Sequence, residues 1–216
     1  MSCCEAPPPA WANQFTRRRA ARELRDYRRR GPIPTTKALI GALVRMGVGQ
    51  STLLDIGGGV GAIQIELLAA GARAATSVDA ASSYQDIARA EAERRGVTDR
   101  ITYLLGDFVE VASEVSAADI VTLDRVVCCY AHMEPLLRLS AQRCRRLYGL
   151  VYPRDRWLAH TVVGVENAFR RLLRNPFRSF IHSIEAMDEL IRSLGFTLRH
   201  KLRTFAWEVV IYERSS

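Results

Sequence analysis

The chain has 216 residues, 48% of them hydrophobic and 25% charged, which suits one globular domain with a sizeable core and argues against a disordered chain. It has no run of about 20 apolar residues, so a membrane-spanning helix is not predicted. The N-terminus lacks the apolar segment of a signal peptide, and a cytoplasmic protein is therefore expected.

The cysteines indicate neither a disulfide framework nor a metal site. There are five, an odd number, and four of them form the adjacent pairs Cys3–Cys4 and Cys128–Cys129. The C-x-x-C spacing of many zinc sites is absent, so no metal is predicted. Cys144 falls on the apolar face of a predicted helix and is interpreted as a small core residue.

The net charge of +8 comes almost entirely from arginine, because only two of the 31 basic residues are lysines. Eight arginines lie within residues 17–30. They could form a solvated helix face or a basic arm that attracts an anionic partner such as nucleic acid. Acidic Glu23 and Asp26 and the core-type residues Leu24 and Tyr27 are interleaved with them, which favours the solvated face.

Two helices are predicted before the main fold begins. Residues 1–10 are rich in proline and are expected to form a disordered tail. One helix is predicted from about residue 11 to residue 30 and a second from about residue 35 to residue 46. Residues 11–48 are therefore interpreted as a helical extension of a domain that occupies residues 49–216.

A glycine-rich turn follows the first predicted strand. The apolar run Thr52-Leu-Leu54 leads into Asp55-Ile-Gly-Gly-Gly-Val-Gly61, and an apolar helical segment begins at Ala62. A strand, a tight turn and a helix in this order let a ligand lie directly on the backbone of the turn, since glycine leaves room for it. The turn is the first candidate for a binding site.

Strands and helices then alternate, which predicts a parallel sheet with helices on both faces. Further strands are predicted at residues 75–79, 101–107, 119–123 and 148–152, with helices between them beginning near Ser82 and Pro135. Gln85, three residues after Ser82, is interpreted as its capping-box partner. The last two strands, residues 196–205 and 207–212, are too close together for a crossover helix and must form an antiparallel hairpin.

An extra helix is predicted at residues 156–174, between the fifth strand and the last helix. Apolar residues recur there at helical spacing: Leu158, Val162, Val165, Phe169 and Leu172. The favoured interpretation is a helix packed on the sheet or a cap over a substrate. A helix lying on a membrane surface is the alternative.

The pattern D-x-G-x-G-x-G, together with acidic residues at the ends of the next three strands, resembles the class I S-adenosylmethionine (SAM) dependent methyltransferases. The resemblance spans roughly residues 50–213 and implies a Rossmann-like α/β fold with a seven-stranded, mostly parallel sheet and a C-terminal antiparallel hairpin. It also implies a set of SAM-binding residues: Asp55 for the methionine amino group, Gly57, Gly58 and Gly59 beneath the cofactor, Asp79 for the ribose hydroxyls, Asp107 and Phe108 for the adenine, and Asp124 and Arg125 beside the methionine moiety and the transfer site.

The segment after the fourth strand is the predicted catalytic rim. Asp124, Tyr130 and His132 are its candidate catalytic residues, because transfer from a sulfonium needs a positioned acceptor and sometimes a base. Tyr130 could instead wall the pocket, and His132 could cap the helix that begins near Met133. His160, on the inserted helix, is a second candidate base.

The predicted function is methyl transfer to a small-molecule acceptor, because the N-terminal extension and the inserted helix would roof the cofactor site. The arrangement distantly resembles the Mg-protoporphyrin O-methyltransferases. An rRNA or tRNA methyltransferase is the alternative, supported by the arginines, although no N/D/S-P-P-Y/F motif follows the fourth strand. A nicotinamide-binding oxidoreductase, which Gly57-x-Gly-x-x-Ala62 also fits, and an idle methyltransferase fold that only binds are less favoured.

Overall fold

The computed structural model describes residues 14–215, so the predicted tail and the first residues of the predicted N-terminal helix lie outside the described residues. The helices are α1 (Arg17–Arg30), α2 (Pro34–Arg45), α3 (Ala62–Ala69), α4 (Ser82–Arg94), α5 (Phe108–Val111), α6 (Met133–Gln142), α7 (Trp157–Leu172) and α8 (Ile184–Ser193). The strands are β1 (Thr52–Ile56), β2 (Ala74–Asp79), β3 (Ile101–Leu105), β4 (Ala118–Asp124), β5 (Cys144–Pro153), β6 (Phe196–Arg203) and β7 (Trp207–Arg214).

The strands form one seven-stranded sheet in the order β3-β2-β1-β4-β5-β7-β6. The first five strands pair in parallel, whereas β7 runs antiparallel to both β5 and β6. This confirms the predicted Rossmann-like sheet with its terminal hairpin. The chain reverses its direction of travel across the sheet between β1 and β4, and ligands of such sheets bind at that point, outside the carboxyl ends of the strands.

Alternate residues of the central strands point to opposite faces and build two cores. Leu54 and Val121 face the side covered by α5, α6 and α8, while Leu53 and Ile120 face the side covered by α2 and α3. Both faces of a parallel sheet need this cover, because its strands carry apolar side chains on both sides. The cores therefore hold the carboxyl ends of β1 and β4 in fixed positions.

The N-terminal helices pack against the main fold. Leu39 of α2 is fully buried in the core on β5 and β7, close against Gly149. Ala20 and Tyr27 of α1 are buried against Tyr84 and its neighbours, and the Tyr27 hydroxyl donates a hydrogen bond of 2.8 Å to Glu66 Oε1 of α3. The extension thus shares its hydrophobic cores with the sheet.

Three local predictions are wrong. Cys144 is buried as predicted but lies at the start of β5, which is longer than predicted, and not on a helix. Ser82 is the first residue of α4 and not its cap, and Gln85 donates to the carbonyl of Leu104 at 2.6 Å in place of a capping box. The first helix begins at Arg17 and not near residue 11. Its N-cap is Thr16, whose hydroxyl accepts a hydrogen bond from the Arg19 amide.

The inserted helix differs most from expectation. α7 forms where predicted, but none of its residues is buried, and its apolar stripe faces solvent. The prediction of a helix whose apolar side packs on the sheet is therefore wrong. Within residues 14–215, no helix combines the length and the apolar character needed to cross a bilayer.

A buried carboxylate attaches α1 to the rest of the protein. Glu91 of α4 is fully buried and accepts hydrogen bonds from Arg28 of α1 at 2.8 Å and from Arg94 and Arg95 of its own helix. The bond from Arg94, supported by those from Arg28 and Arg95, lowers the pKa of Glu91 to about 2. Removal of a buried charge from such a cluster is costly, because its partners lose their counter-charge.

We expect Glu91→Gln to lower the free energy of unfolding at pH 7 by about 2 kcal/mol, since charge-assisted hydrogen bonds are lost. A depressed pKa contributes stability above the unfolded pKa of the group, so the difference from the wild type should shrink as the pH falls from about 4 to about 2. Urea unfolding at several pH values measures it. Glu93→Gln, at an exposed position of the same helix, is the control. An equal loss in both variants would contradict the role of Glu91.

Candidate functional site

A cavity of about 520 Å³ opens at the carboxyl ends of β1 to β4. Its floor comes from the glycine turn and the ends of these strands, and its walls come from the loop between β4 and α6. Two further segments roof it, the start of α1 and the chain that follows α7. The predicted residues that line it are Gly57, Gly59, Asp79, Asp107, Phe108, Asp124, Arg125 and Tyr130.

The glycine turn presents backbone to this cavity. Gly59 has a φ of 56°, and a side chain there would meet no atom closer than the Gly57 carbonyl oxygen at 3.9 Å, so the space above it is open. Gly58 faces the other way, since a Cβ would collide with the Gln64 amide and the Ser77 hydroxyl. Gly58 therefore permits close packing beneath the turn and does not line the cavity.

Asp79, at the end of β2, holds the turn in place. Its Oδ2 accepts from the Gly59 amide at 3.0 Å and its Oδ1 accepts from the Ala81 amide at 2.8 Å. Burial raises the pKa of this carboxyl, although the two amide donors act in the opposite direction. The carboxylate is thus fixed at the cavity wall by backbone groups on both sides.

Asp107 and Tyr130 form a second polar pair on the wall. Asp107 Oδ1 caps α5 by accepting from the Val109 amide at 3.0 Å, and it also accepts from the Tyr130 hydroxyl at 2.6 Å. Burial, together with this bond, raises the pKa of Tyr130. Phe108 is 1% exposed and lies between the cavity and the core. The Tyr130 hydroxyl is therefore an anchor for Asp107 in this conformation.

Asp124 is the buried carboxylate at the end of β4. The Thr36 hydroxyl of α2 donates to its Oδ2, and Arg125 Nε lies 3.4 Å from its Oδ1. That Oδ1 is buried and makes no hydrogen bond within residues 14–215. Burial raises the pKa of Asp124, while Arg125 and Thr36 lower it. The contact of Thr36 with Asp124 could not be predicted from the sequence, because a threonine in the first turn of a helix is common and does not indicate a functional site.

Asp55 lies behind the turn and does not line the cavity. It is 1% exposed, its Oδ1 accepts from the Thr122 hydroxyl at 2.7 Å, and its Oδ2 accepts from Gln64 Nε2 at 3.0 Å. Gln64 Nε2 also donates to Ser77 Oγ at 2.9 Å. The direct ligand contact predicted for Asp55 does not fit this position. Its carboxylate instead joins β1 to β4 and to α3, and Gln64 extends the connection to β2.

The two histidines proposed as bases lie away from the cavity. His132 is exposed at the start of α6, beside a separate surface hollow, and its side chain makes no capping hydrogen bond. His160 is exposed on α7, with its Nε2 2.7 Å from Asp155 Oδ1. A third histidine, His182, was missed. Its Nε2 lies 2.9 Å from the Tyr130 carbonyl oxygen and braces the loop that carries Tyr130.

Aromatic and basic residues from the two roof segments meet above the cavity. The ring of Phe15 packs edge-on against Phe177 at 5.6 Å and against Tyr84 at 5.8 Å. Arg170 of α7 lies over the Phe177 ring at 5.4 Å. Arg19 lies over Phe15 and pairs with Glu23 at 3.0 Å. The roof joins the N-terminal extension to the segment after α7, two parts of the chain that are distant in sequence.

Cys128 and Cys129 also line the cavity. Their sulfur atoms lie 3.4 and 3.8 Å from the carbonyl oxygen of Arg125. Within the described part of the chain, no group of three or more metal-ligating side chains is present. The polar groups of the site are therefore carboxylates, hydroxyls, thiols and arginines.

Residues 53–148 match the family of methyltransferase domains. No curated protein matches the sequence significantly. Among solved structures, the magnesium protoporphyrin IX methyltransferase of Synechocystis with bound SAM is similar at a TM-score of 0.70 and 15% identity, over 100% of both chains. Its complex with S-adenosylhomocysteine (SAH) gives a TM-score of 0.68 and 19% identity, over 84% of this chain and 82% of that chain.

Two other solved structures have the same fold. A putative sarcosine dimethylglycine methyltransferase from Galdieria sulphuraria gives a TM-score of 0.69 at 13% identity, over 87% of this chain and 88% of that chain. A putative RNA methyltransferase from Pyrococcus horikoshii gives 0.62 at 13% identity, over 87% of both chains. Residues 53–148 thus match a methyltransferase domain, and the likeness to these structures confirms the predicted Rossmann-like methyltransferase fold.

The burial of Asp55 makes the stability of the protein depend on pH. Burial raises its pKa to about 7, although Thr122 and Gln64 lower it. Because the pKa of Asp55 in the folded state is above the unfolded value of about 4, the folded protein binds a proton at Asp55 that the unfolded chain releases. The contribution of Asp55 to the free energy of unfolding therefore falls as the pH rises from about 4 to about 7. Asp55→Asn removes this dependence.

We therefore expect the stability of Asp55→Asn relative to the wild type to improve with pH across this window, by up to about 1.4 kcal/mol per pH unit. The asparagine keeps an acceptor for Thr122, and the Gln64 amide can turn to present its unpaired oxygen to the new amide. Thermal unfolding of both proteins at pH 5, 6, 7 and 8 measures the difference. A difference that stays constant with pH would contradict the raised pKa.

Proposed function

We propose that this chain is a class I SAM-dependent methyltransferase and that it methylates a small-molecule acceptor that binds in the roofed cavity. The observation that carries the proposal is the roof, in which Phe15 and Arg19 of the extension meet Arg170 and Phe177 above the glycine turn. Small-molecule sites are concave, partly apolar cavities of about 300–1,000 Å³ with a few polar groups, and the cavity fits this description. A roofed site suits a small molecule better than an extended polymer.

The residues at the strand ends fit the cofactor. The open space above Gly59 admits a ligand directly on the backbone, and the Asp79 carboxylate faces the same cavity. We propose that Asp79 binds the ribose hydroxyls and that Asp107 and Phe108 bind the adenine. Asp55 would support the turn from behind, through its bonds to Thr122 and Gln64.

SAM would supply a methyl group bound to a positively charged sulfur. The acceptor atom would bond to the methyl carbon in line with the carbon–sulfur bond, which breaks as SAH leaves. The chain then has to position the acceptor, exclude water and, for a protonated acceptor, remove the proton. Asp124 is the best supported of the three predicted catalytic residues for the last task. Its Oδ1 is buried and lacks a hydrogen bond within residues 14–215, and burial raises the pKa of its carboxyl, the direction that favours proton removal by a general base.

Tyr130 and His132 have weaker support as bases. The Tyr130 hydroxyl already donates to Asp107, and its raised pKa keeps its proton in place at neutral pH. We propose that Tyr130 orients Asp107 and forms part of the wall. His132 is exposed and lies outside the cavity lining, so its contribution to proton removal would require a rearrangement of the loop.

An RNA acceptor is the second candidate function. It is favoured by the exposed arginines of α1, including Arg17, Arg18 and Arg22, since clustered positive charge attracts nucleic acid. The roof argues against it, because a polymer would have to pass beneath Phe15 and Phe177. Methyl transfer from labelled SAM to total RNA, compared with transfer to a small-molecule extract, separates the two functions.

We expect Asp79→Ala to weaken the binding of SAM and SAH by about tenfold to a hundredfold, because charge-assisted hydrogen bonds contribute about 1.5–3 kcal/mol. Isothermal titration calorimetry measures the affinity. Asp79→Asn is the matched control for the support of the turn, since its side-chain oxygen can still accept from one amide. An unchanged SAM affinity in a folded Asp79→Ala protein would contradict the proposed ribose contact.

The proton-removing role of Asp124 predicts a pH effect as well as a rate effect. With a substrate in hand, Asp124→Asn should lower kcat by about a hundredfold or more. The wild-type kcat should fall as the pH falls through the raised pKa of Asp124. His132→Ala should change kcat by less than about threefold, because its side chain is outside the cavity. A large loss for His132→Ala and a small one for Asp124→Asn would reverse the assignment.

A further inference from the structure

An ordinary surface helix turns its apolar face toward the protein, whereas α7 turns its large apolar side chains toward solvent. The half-buried residues on its inner side are Ala159, Val163, Asn167 and Arg170. The outer face carries large apolar side chains, with their exposed fractions: Trp157 (77%), Leu158 (40%), Val162 (50%), Val165 (65%), Phe169 (60%) and Leu172 (78%). We call these six residues the outer face of α7. Soluble proteins rarely expose a contiguous apolar surface of this kind unless it is a site of interaction.

Polar contacts on the inner side hold this orientation. Asn167 Nδ2 donates to the Ser179 carbonyl oxygen at 2.8 Å, and the Ser179 amide donates to Asn167 Oδ1 at 3.0 Å. Arg170 donates to Ser179 Oγ at 3.1 Å and to Asn167 Oδ1 at 3.0 Å. A rotation of α7 that buried the outer face would break the three hydrogen bonds to Ser179. The outer face is therefore fixed toward solvent.

Positive charge is in excess at both ends of α7. Residues 154–174 contain five arginines but only two acidic residues, and both acids are already paired, Asp155 with His160 and Glu166 with Arg170. Arg156, Arg171 and Arg174 are exposed.

This charge decides which partner fits. Two copies of the chain that met through this face would bring two sets of arginines together, which costs electrostatic energy. An anionic bilayer complements both features, since helices that lie in the lipid interface carry Trp, Phe and Leu on one side and arginines around them. Phe205, 76% exposed at the β6–β7 turn, lies 6.0 Å from the guanidinium of Arg156 and adds an exposed aromatic ring near the start of α7.

We propose that the outer face of α7 docks the protein on an anionic lipid surface, with Trp157, Phe169 and Leu172 in the interface and Arg156, Arg171 and Arg174 at the headgroups. The inner side of the helix keeps its contacts to Ser179 in the docked protein. The proposal is independent of the acceptor and of the rate of methyl transfer.

The experiment is sedimentation of the full-length protein with vesicles of phosphatidylcholine alone or with phosphatidylglycerol added. We expect binding to the anionic vesicles, and binding that weakens at high salt, because ions screen the arginines. Arg171→Gln/Arg174→Gln should lower the partition coefficient about 25-fold, since each arginine near an anionic surface contributes about fivefold. Phe169→Ser/Leu172→Ser should abolish binding.

Val44→Ser is the matched control, because Val44 is 41% exposed on α2, away from the outer face. It should bind like the wild type. Trp157 gives a local readout, as its emission should shift to shorter wavelength with anionic vesicles and the shift should disappear in Trp157→Phe. All substituted side chains on the outer face are exposed, so circular dichroism and thermal unfolding should match the wild type.

Three results would overturn the proposal. One is no binding to anionic vesicles at low salt. Another is binding by Phe169→Ser/Leu172→Ser as strong as that of the wild type. The third is a dimer in analytical ultracentrifugation that the same substitution converts to a monomer, which would assign the outer face to a second copy of the chain. If the apolar variant fails to fold, the arginine variant and the Trp157 emission test the proposal without it.

Discussion

The buried carboxylate of Asp55 is the point on which the geometry of the site depends. It joins β1 to β4 through Thr122 and to α3 through Gln64, and Gln64 extends the connection to Ser77 of β2. Gly58 packs directly above this network, where no larger residue fits. The turn that faces the cavity is therefore supported from below by polar groups on three strands and a helix, and a shift in any of them would move it.

The floor of the cavity and its roof have different origins. The floor belongs to the sheet, whose strand ends are fixed by two continuous cores. The roof comes from the N-terminal extension and from the chain after α7, which meet through the side chains of Phe15 and Phe177. Glu91 matters to this arrangement because it holds α1, and so the start of the extension, against α4. The same pairing neutralises part of the large arginine excess.

Sequence patterns predicted the features of the site that follow from the order and direction of the strands. In a parallel sheet the residues that end successive strands meet at one edge, so Asp79, Asp107 and Asp124 could be brought together from their places along the chain. Features that depend on tertiary contacts were not predictable. The direction of the apolar face of α7 is set by the bonds of Asn167 and Arg170 to Ser179, and helical spacing alone does not distinguish an inward stripe from an outward one. The position of His132 was likewise not predictable, because the conformation of the loop after β4 places its side chain outside the cavity.

The edge-on contact between Phe15 and Phe177 has a consequence for turnover. It joins two segments that no strand pairing connects, and the cavity lies beneath it. A molecule that enters or leaves past the roof must separate these two rings, whereas the sheet below can stay rigid. In the proposed reaction, release of SAH past the roof would require this aromatic contact to open, so product release would be linked to the extension as well as to the residues that carry out the reaction.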